Sequence, residues 1–242
     1  MKPLRWGILG AANFALHHMG PAIHAAKGAS LCALATSNPT KAAAFGAFVP
    51  DIKIYESYDS LLAANDIDAV YIPLPNHLHV EWTLRALEAG KHVLCEKPIT
   101  LMASDFDRLI DARENSGLLV AEAFMIVHHP QWARARDIVA SGVLGRLRHV
   151  AATFSFYNDD ATNIRNIAAA GGGGLRDIGI YAFGSTRFVT RQEPRVITHA
   201  KAAYENGVDV FAQVAAEFDD FDFSATISMR MFPRQEVVIH GE

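Results

Sequence analysis

The feature that most restricts the fold of this chain is the regular alternation of short apolar segments with helical segments in its first half. Strands are predicted for the apolar segments at 4–9, 31–36, 68–74, 91–96 and 118–124. Helices are predicted between them, at 14–26 with a break at Pro21, 40–48, 60–65, 77–90 and 102–115. Near-continuous apolar strands are buried on both faces, which is typical of a parallel sheet covered by helices. The first half therefore predicts a doubly wound α/β sheet.

The second half follows a different pattern. Helices are predicted at 130–145 and about 175–190, and strands at 147–157, 195–205, 208–218, 223–231 and 235–240. Repeated strands with few helices predict an α+β domain with a mostly antiparallel, open sheet. We therefore predict two domains, 1–123 and 124–242. Because the chain stops where a strand enters a turn, we expect the C-terminal part of the second domain to be missing.

Composition excludes several classes of protein. The net charge is −4, with acidic and basic residues interspersed, so no basic surface for nucleic acid is predicted. The N-terminus enters a strand without a signal peptide, and no apolar run is long enough to span a membrane. Cys32 and Cys95 lack disulfide or metal spacing and are interpreted as small buried residues. We expect a cytoplasmic protein without nucleic-acid or membrane partners.

The turn after the first strand carries a relaxed glycine fingerprint, Gly10-x-Ala12-x-x-Ala15. Gly10 permits a tight turn, and Ala12 lets the backbone approach a pyrophosphate bound at the N-terminus of the next helix. Small residues suit any turn of this kind, but the position between a first strand and a first helix is the context that the motif requires. A Rossmann domain that binds a dinucleotide is predicted.

The end of the second predicted strand indicates which dinucleotide. An NAD-specific site places an acid there, whereas this chain has Thr36-Ser37-Asn38 with Lys41 one turn later. Without the acid, a 2′-phosphate is not repelled and can be bound by Ser37 and Lys41, which favours NADP over NAD. A helix cap is an equally sufficient explanation for Ser37 and Asn38.

Residues 73–79 follow another predicted strand, at the sheet edge where such folds bind ligands. Asn76 either caps the following helix or approaches the nicotinamide. The pairs His77-x-His79 and His128-His129 have no acidic or cysteine partner at ligand spacing, so no metal site is predicted.

A carboxylate, an ammonium and a proline follow the strand at 91–96 as Glu96-Lys97-Pro98. Charges placed directly at the end of a buried strand are costly to desolvate. These residues are therefore either solvated loop residues or part of a site.

The segment VYIPLPNHLHVEWTLRALEAGKHVLCEKPIT, preceded by WGILGAANFA and followed by GGGGLRDIGIY, resembles the Gfo/Idh/MocA family of NAD(P)-dependent oxidoreductases. The resemblance covers essentially the whole chain. Within the family, EAFM, SGVLGRLRHV and NIR are most similar to NADP-dependent xylose dehydrogenases and dimeric dihydrodiol dehydrogenases. Members are several tens of residues longer, which agrees with a missing C-terminal part. Ile126-Val127 stands where the xylose branch often has an aromatic residue and an arginine, so the substrate remains open.

The resemblance implies hydride transfer between nicotinamide and a secondary alcohol or carbonyl of a sugar, polyol or related diol. It implies NADP, or NAD, as cofactor and a homodimer or higher homo-oligomer. Lys97 matches a lysine near the nicotinamide, with Pro98 after a cis peptide, and Tyr181 matches the residue that transfers the proton. The charge of Lys97 would favour the phenolate of Tyr181. Asp177, four residues before Tyr181 on one helix, would orient the substrate hydroxyl or Lys97.

The residues expected to contact the cofactor are Gly10, Ala12, Asn13, Ser37, Asn38, Lys41, Pro73, Asn76, His79, Glu96 and Lys97. Those expected to contact the substrate are Lys97, Phe124, Arg165, Asp177 and Tyr181. Lys97, Asp177 and Tyr181 are the expected catalytic residues. The glycines at 171–174 either let the backbone approach the substrate or form a flexible surface loop.

Two other functions share these features. One is a non-catalytic dinucleotide-binding sensor or regulator, because a fold does not fix a function. The other is a glycoside hydrolase that uses NAD transiently, which would retain its cofactor through purification.

Overall fold

The computed structural model describes residues 2–242 and divides into two compact units, Met1–Ala123 and Phe124–Glu242. The strands of the first unit are β1 (Leu4–Leu9), β2 (Ala29–Ala35), β3 (Lys53–Tyr55), β4 (Ala69–Ile72), β5 (His92–Cys95) and β6 (Val120–Glu122). Its helices are α1 (Gly20–Ala25), α2 (Pro39–Gly46), α3 (Tyr58–Leu62), α4 (His79–Glu88) and α5 (Ser104–Ser116). The strands form one parallel sheet in the order β3-β2-β1-β4-β5-β6.

The centre of this sheet is buried on both faces. Along β1 and β4, Ile8 and Tyr71 belong to one apolar cluster, and Leu9 and Ile72 belong to another. Adjacent residues of a strand point to opposite faces, so the two clusters lie on the two sides of the sheet. All four residues of β4 are buried, which is why its sequence is a continuous apolar run.

Two details of the first unit differ from the sequence prediction. β3 was not predicted, because it has three residues, lies at the sheet edge and leaves Ile54 45% exposed. Pro21 does not break a helix. A π-helical turn, Ala15–Met19, runs directly into α1, and Pro21 lies where the π-helical hydrogen bonding changes to α-helical.

The second unit contains a five-stranded sheet and two longer helices. The helices are α6 (Pro130–Ala140) and α7 (Ile180–Thr190), the latter preceded by a π-helical turn, Leu175–Gly179. The strands are β7 (His149–Tyr157), β8 (Val196–Glu205), β9 (Val208–Glu217), β10 (Asp222–Ser228) and β11 (Arg230–His240). Their order is β11-β7-β10-β9-β8, with β7 and β10 parallel and the other neighbours antiparallel.

The second core lies on one face of this sheet. Ile178 and Ala182, from the π-helical turn and α7, belong to one cluster with Phe223 and Ile227 of β10. The predicted fold class, a doubly wound parallel sheet followed by an α+β domain with a mostly antiparallel sheet, is confirmed. No helix within residues 2–242 has the length and apolarity that crossing a membrane requires.

Two boundaries of the second unit differ from the prediction. The helix predicted to reach 145 ends at Ala140, and the turn that follows contains Gly142 with φ +73°. The segment predicted as 223–231 is divided between β10 and β11, and a register shift lies between Arg230 and Arg234. Pro233 falls within this shift on an edge strand, a position where a missing backbone donor is tolerated.

An ion pair at the start of the first sheet predicts a pH dependence of stability. Arg5 donates to both carboxylate oxygens of Asp68, at 2.6 Å and 2.9 Å. The hydrogen bonds from the Arg5 side chain lower the pKa of Asp68 to about 2. Its unfolded value is about 3.9. The stabilisation is therefore fully present above that value and is lost as the pH falls through the folded pKa.

We expect the difference in unfolding free energy between the wild type and Asp68→Asn to shrink between pH 5 and pH 2. Because the pair is partly exposed, the difference at neutral pH should be at most about 1 kcal/mol. Urea unfolding measures it, with Asp51→Asn as an exposed control that should follow the wild type. A difference that stays constant over this range would show that the pair contributes nothing.

Candidate functional site

The turn after β1 requires glycine for two reasons. Gly10 has φ +97°, a conformation that other residues rarely adopt. A Cβ at this position would also lie 2.8 Å from Leu74 Cδ2, in the loop after β4. Ala12 is half-buried and Asn13 is exposed at the start of the helical segment. The turn has the shape that the fingerprint predicts, and the contacts of these residues with a cofactor remain a prediction.

The end of β2 presents exposed polar side chains. Ser37, Asn38 and Lys41 are all exposed. Asn38 Oδ1 accepts a hydrogen bond from the Lys41 amide at 3.1 Å, so Asn38 caps α2. Ser37 lines a groove of about 680 Å³ together with Glu56, which follows β3. Sequence reasoning missed Glu56 because it missed β3.

Glu96 is not a solvated loop residue. Its Oε1 accepts a hydrogen bond from the hydroxyl of Tyr71 at 2.6 Å. Tyr71 lies on the neighbouring strand β4 and has no exposed surface. Burial and the adjacent carboxylate raise the pKa of Tyr71, so its hydroxyl remains a donor. Sequence reasoning missed Tyr71, which looks like any apolar residue of a central strand.

His79 holds two loops at the edge of the first sheet. Its Nδ1 lies 2.7 Å from the carbonyl oxygen of Pro98, and its Nε2 lies 2.7 Å from that of Leu74. Burial lowers the pKa of His79, and the two carbonyls oppose that shift by favouring the charged ring. His79 has no exposed surface, and its contact with the cofactor remains a prediction. The ring positions the loops after β4 and β5.

The segment around Lys97 is held by a second half-buried acid. Glu122, on β6, accepts a hydrogen bond from the amide of Ile99 at 2.8 Å, and burial raises its pKa. The peptide between Lys97 and Pro98 is cis, as expected. Lys97 itself is half-buried.

Most of the predicted cofactor residues follow the carboxyl ends of parallel strands. Gly10 follows β1, Ser37 follows β2, Pro73 follows β4 and Glu96 follows β5. Asn76 begins the short 3₁₀ turn Asn76–Leu78 and is half-buried. In an open parallel sheet these ends share one edge, which is where such folds bind ligands.

In the second unit, Arg165 and Asp177 are brought together. Arg165 Nε donates to Asp177 Oδ2 at 2.6 Å, and the Asp177 side chain is 12% exposed. Arg165 belongs to a 3₁₀ turn, Ile164–Asn166, and Asp177 to the π-helical turn before α7. π-Helical turns are rare and occur frequently at functional sites. A carboxylate that is mostly buried but paired with a partly exposed arginine is suited to bind a polar group.

Tyr181 lies in α7 within an aromatic cluster. Its ring centroid is 5.7 Å from that of Phe124 and 5.4 Å from that of Phe154. Its hydroxyl lies 4.0 Å from the sulfur of Met125, a side chain that is 57% exposed. Sequence reasoning named Phe124 but missed Phe154 and Met125, since β7 and the 3₁₀ turn gave no sign that they meet Tyr181. Ile126, the departure noted in the sequence, is buried.

The glycines at 171–174 are all buried, so the interpretation as a flexible surface loop is wrong. A Cβ on Gly172 would lie 2.4 Å from the carbonyl oxygen of Arg165. The run is glycine-rich because the chain packs against its own backbone there.

Within residues 2–242, no group of three or more His, Cys, Asp or Glu side chains is arranged to hold a metal ion.

Comparisons with known proteins agree with this arrangement. Residues 4–124 match the model of an oxidoreductase family with an NAD-binding Rossmann fold, and residues 132–242 match the GFO/IDH/MocA C-terminal domain. The chain is 42% identical over 196 residues to a dTDP-3,4-didehydro-2,6-dideoxy-α-D-glucose 3-reductase of Streptomyces violaceoruber, covering 81% of this chain and 57% of that enzyme. It is 36% identical to a D-xylose 1-dehydrogenase (NADP⁺) of Haloferax volcanii, covering 89% and 66%. The chain thus spans less than two thirds of the length of each of these two relatives.

A solved structure shares the fold. It is KijD10, a 3-ketoreductase from Actinomadura kijaniata in complex with NADP and TDP-benzene. The TM-score is 0.93 at 33% identity, and the alignment covers 100% of this chain and 74% of that one.

Proposed function

Because this chain belongs to the Gfo/Idh/MocA oxidoreductase family, we propose that it transfers a hydride between a nicotinamide cofactor and a CH–OH or carbonyl group of a sugar, polyol or related diol. The observation that supports this most directly is the sheet edge itself. Gly10 forms a tight positive-φ turn there, and Lys97 follows β5 in a segment fixed by His79 and Glu122. The sugar reductase and xylose dehydrogenase relatives favour a sugar as substrate.

Residues of the second unit are assigned to proton transfer and to orientation of the substrate. The nicotinamide, when bound, accepts or donates the hydride. Tyr181 exchanges the hydroxyl proton, and Lys97 lies near the nicotinamide, as the family resemblance implies. Asp177, paired with Arg165, orients the reacting hydroxyl. The ring of the half-buried Tyr181 packs against Phe124 and Phe154, and its hydroxyl lies beside the exposed side chain of Met125.

We propose NADP as the preferred cofactor. β2 ends without an acid, Ser37 lines the groove there, and Lys41 is exposed in the first turn of α2. The structural neighbour KijD10 is a complex with NADP, and the Haloferax relative is named as NADP-dependent. Glu56 borders the same groove and is the group that would oppose a 2′-phosphate.

Titration of both reduced cofactors tests this preference. The chain should bind NADPH more tightly than NADH, because β2 ends without an acid and the attraction of Lys41 for the 2′-phosphate should exceed the repulsion from Glu56. Ser37→Asp should reverse the order by placing a carboxylate there, and Lys41→Ala should weaken NADPH binding while leaving NADH binding unchanged. Equal affinities of the wild type for the two cofactors would contradict the roles of Ser37 and Lys41.

Substitutions of the proposed acid–base groups test the chemical step. Tyr181→Phe should lower turnover by roughly 10²–10⁴-fold, the usual contribution of a general acid–base group. Lys97→Met should reduce turnover far more than it weakens cofactor binding. Because both residues are assigned to the same chemical step, the double variant should be little worse than the worse single variant. Asp177→Asn should lower turnover by a smaller factor than Tyr181→Phe if Asp177 only orients the substrate.

Steady-state assays of sugars, polyols and trans-dihydrodiols with NADP and NAD measure these effects through the absorbance of the reduced cofactor. The rise of the oxidation rate with pH should disappear in Tyr181→Phe. Tyr204→Phe, at a 67% exposed position of β8, is the matched control and should keep full activity. If Tyr181→Phe keeps its activity and its pH profile, the base is a different group.

We propose that the chain forms a homodimer or higher homo-oligomer through the second sheet. Ala151 and Thr153 of β7 and Thr226 of β10 lie on the face opposite the core and are half-exposed. The same face carries Phe211 and Gln213 of β9. Uncharged side chains along three adjacent central strands allow close packing against a second copy.

Light scattering at micromolar concentration should give the mass of an oligomer. Thr226→Lys should shift it towards the monomer, because it places a charge at the centre of the proposed interface. Thr162→Lys, the same change in an exposed loop, should leave the mass unchanged. A monomer mass for the wild type across this concentration range would contradict the proposal.

A further inference from the structure

The helical segment that carries Asp177 and Tyr181 begins without a capping side chain of its own. It starts at Gly174, which has no side chain to accept the first amides. The first N–H groups of a helix have no partner within the helix and need one elsewhere. Here the partner comes from another strand: Asp209 of β9 accepts a hydrogen bond from the amide of Leu175 at 2.6 Å.

Asp209 is a buried carboxylate with only 8% of the residue exposed. Burial raises its pKa, whereas the amides of Leu175 and Gly174 and the charge of Arg176 favour its ionised form. A carboxylate is also stabilised by the positive end of a helix dipole. Asp209 therefore acts as an N-cap supplied by the sheet rather than by the helix.

The glycine run explains how this carboxylate reaches the helix. Gly173 has φ +124°, and a Cβ there would lie 2.3 Å from Asp209 Oδ1. A Cβ on Gly174 would lie 3.3 Å from Asp209 Oδ2. Any side chain at position 173 would push the carboxylate away from the helix start. The run thus makes room for Asp209.

The glycine run also helps to place Arg165, the partner of Asp177. The amide of Gly173 donates to the carbonyl oxygen of Arg165 at 3.0 Å. The Arg165 side chain in turn donates to Asp177. Gly173 therefore lies between the carboxylate that holds the helix start and the backbone that places Arg165.

We propose that Asp209 is a positioning residue for the reaction: by capping the helix start through the glycine run, it sets the positions of Asp177, its partner Arg165 and Tyr181. This inference rests on the proposed function, since it assigns Asp209 to the residues of that site. Asp209 is buried and its carboxylate binds a backbone amide, so the role assigned to it is one of positioning. Its substitution should therefore change turnover and the order of the helix start, and should leave cofactor binding unchanged.

Asp209→Asn tests this inference, because the amide keeps the size of the carboxylate but removes its charge and one acceptor. Turnover should fall roughly 10- to 100-fold, as expected for displacement of catalytic groups by about 1 Å. The dissociation constant for NADPH should stay within about twofold of wild type. Amide hydrogen exchange should accelerate for Leu175–Gly179 and remain unchanged near Thr190, at the far end of α7. Asp222→Asn, an exposed aspartate on β10, is the control and should match the wild type in all three measurements.

Gly173→Ala is a second variant that disturbs the contact between Asp209 and the helix start, because its Cβ would clash with Asp209 Oδ1. Where it folds, it should reproduce the exchange and turnover changes of Asp209→Asn, and the double variant should add little to either. Unchanged turnover in Asp209→Asn, with an active wild type, would overturn the positioning role. Unchanged exchange at Leu175–Gly179 would overturn the capping role, and this measurement does not depend on activity. A wild type without turnover on any substrate would instead contradict the proposed function.

Discussion

The candidate site of the first unit depends on how polar groups are satisfied at the ends of two central strands. β4 and β5 are largely buried and end beside each other, so any charge placed there needs a partner within the protein. Tyr71 provides a hydroxyl for Glu96, and His79 binds the backbone of both following loops. These contacts fix the segment that contains Lys97. Without them, a carboxylate and an ammonium at the end of a buried strand would be unstable.

In the second unit, too, a mostly buried charged group has partners within the protein, and here it lies on a helical segment. Asp177 is mostly buried and is paired with Arg165, and the helical segment that carries it is capped by Asp209. In both units the proposed catalytic side chains are placed by polar residues that bind backbone groups. Under the proposed function, the chemistry would therefore depend on groups such as His79 and Asp209, whose side chains bind backbone groups.

Much of the fold could be predicted because it follows from patterns that are local in the sequence. Apolar runs and glycine stops located nearly all the strands and helices, and Gly10 and the cis peptide at Pro98 were expected from their motifs. The edge strand β3 escaped prediction because a short exposed strand buries no apolar run. Glu56 depends on that strand for its position, so its place in the groove was not predicted either.

The sequence by itself determined the family, the order of the elements and the motifs at the strand ends, because these depend on residues close together in the chain. Tertiary structure alone decided which groups meet. Tyr71 reaches Glu96 from 25 positions away, and Asp209 reaches Leu175 from 34 positions away. His79 looked like a cofactor ligand in the sequence, and folding buried it between two carbonyl oxygens. Such pairings depend on strand neighbours and on helix placement over the sheet, which no local pattern of residues encodes.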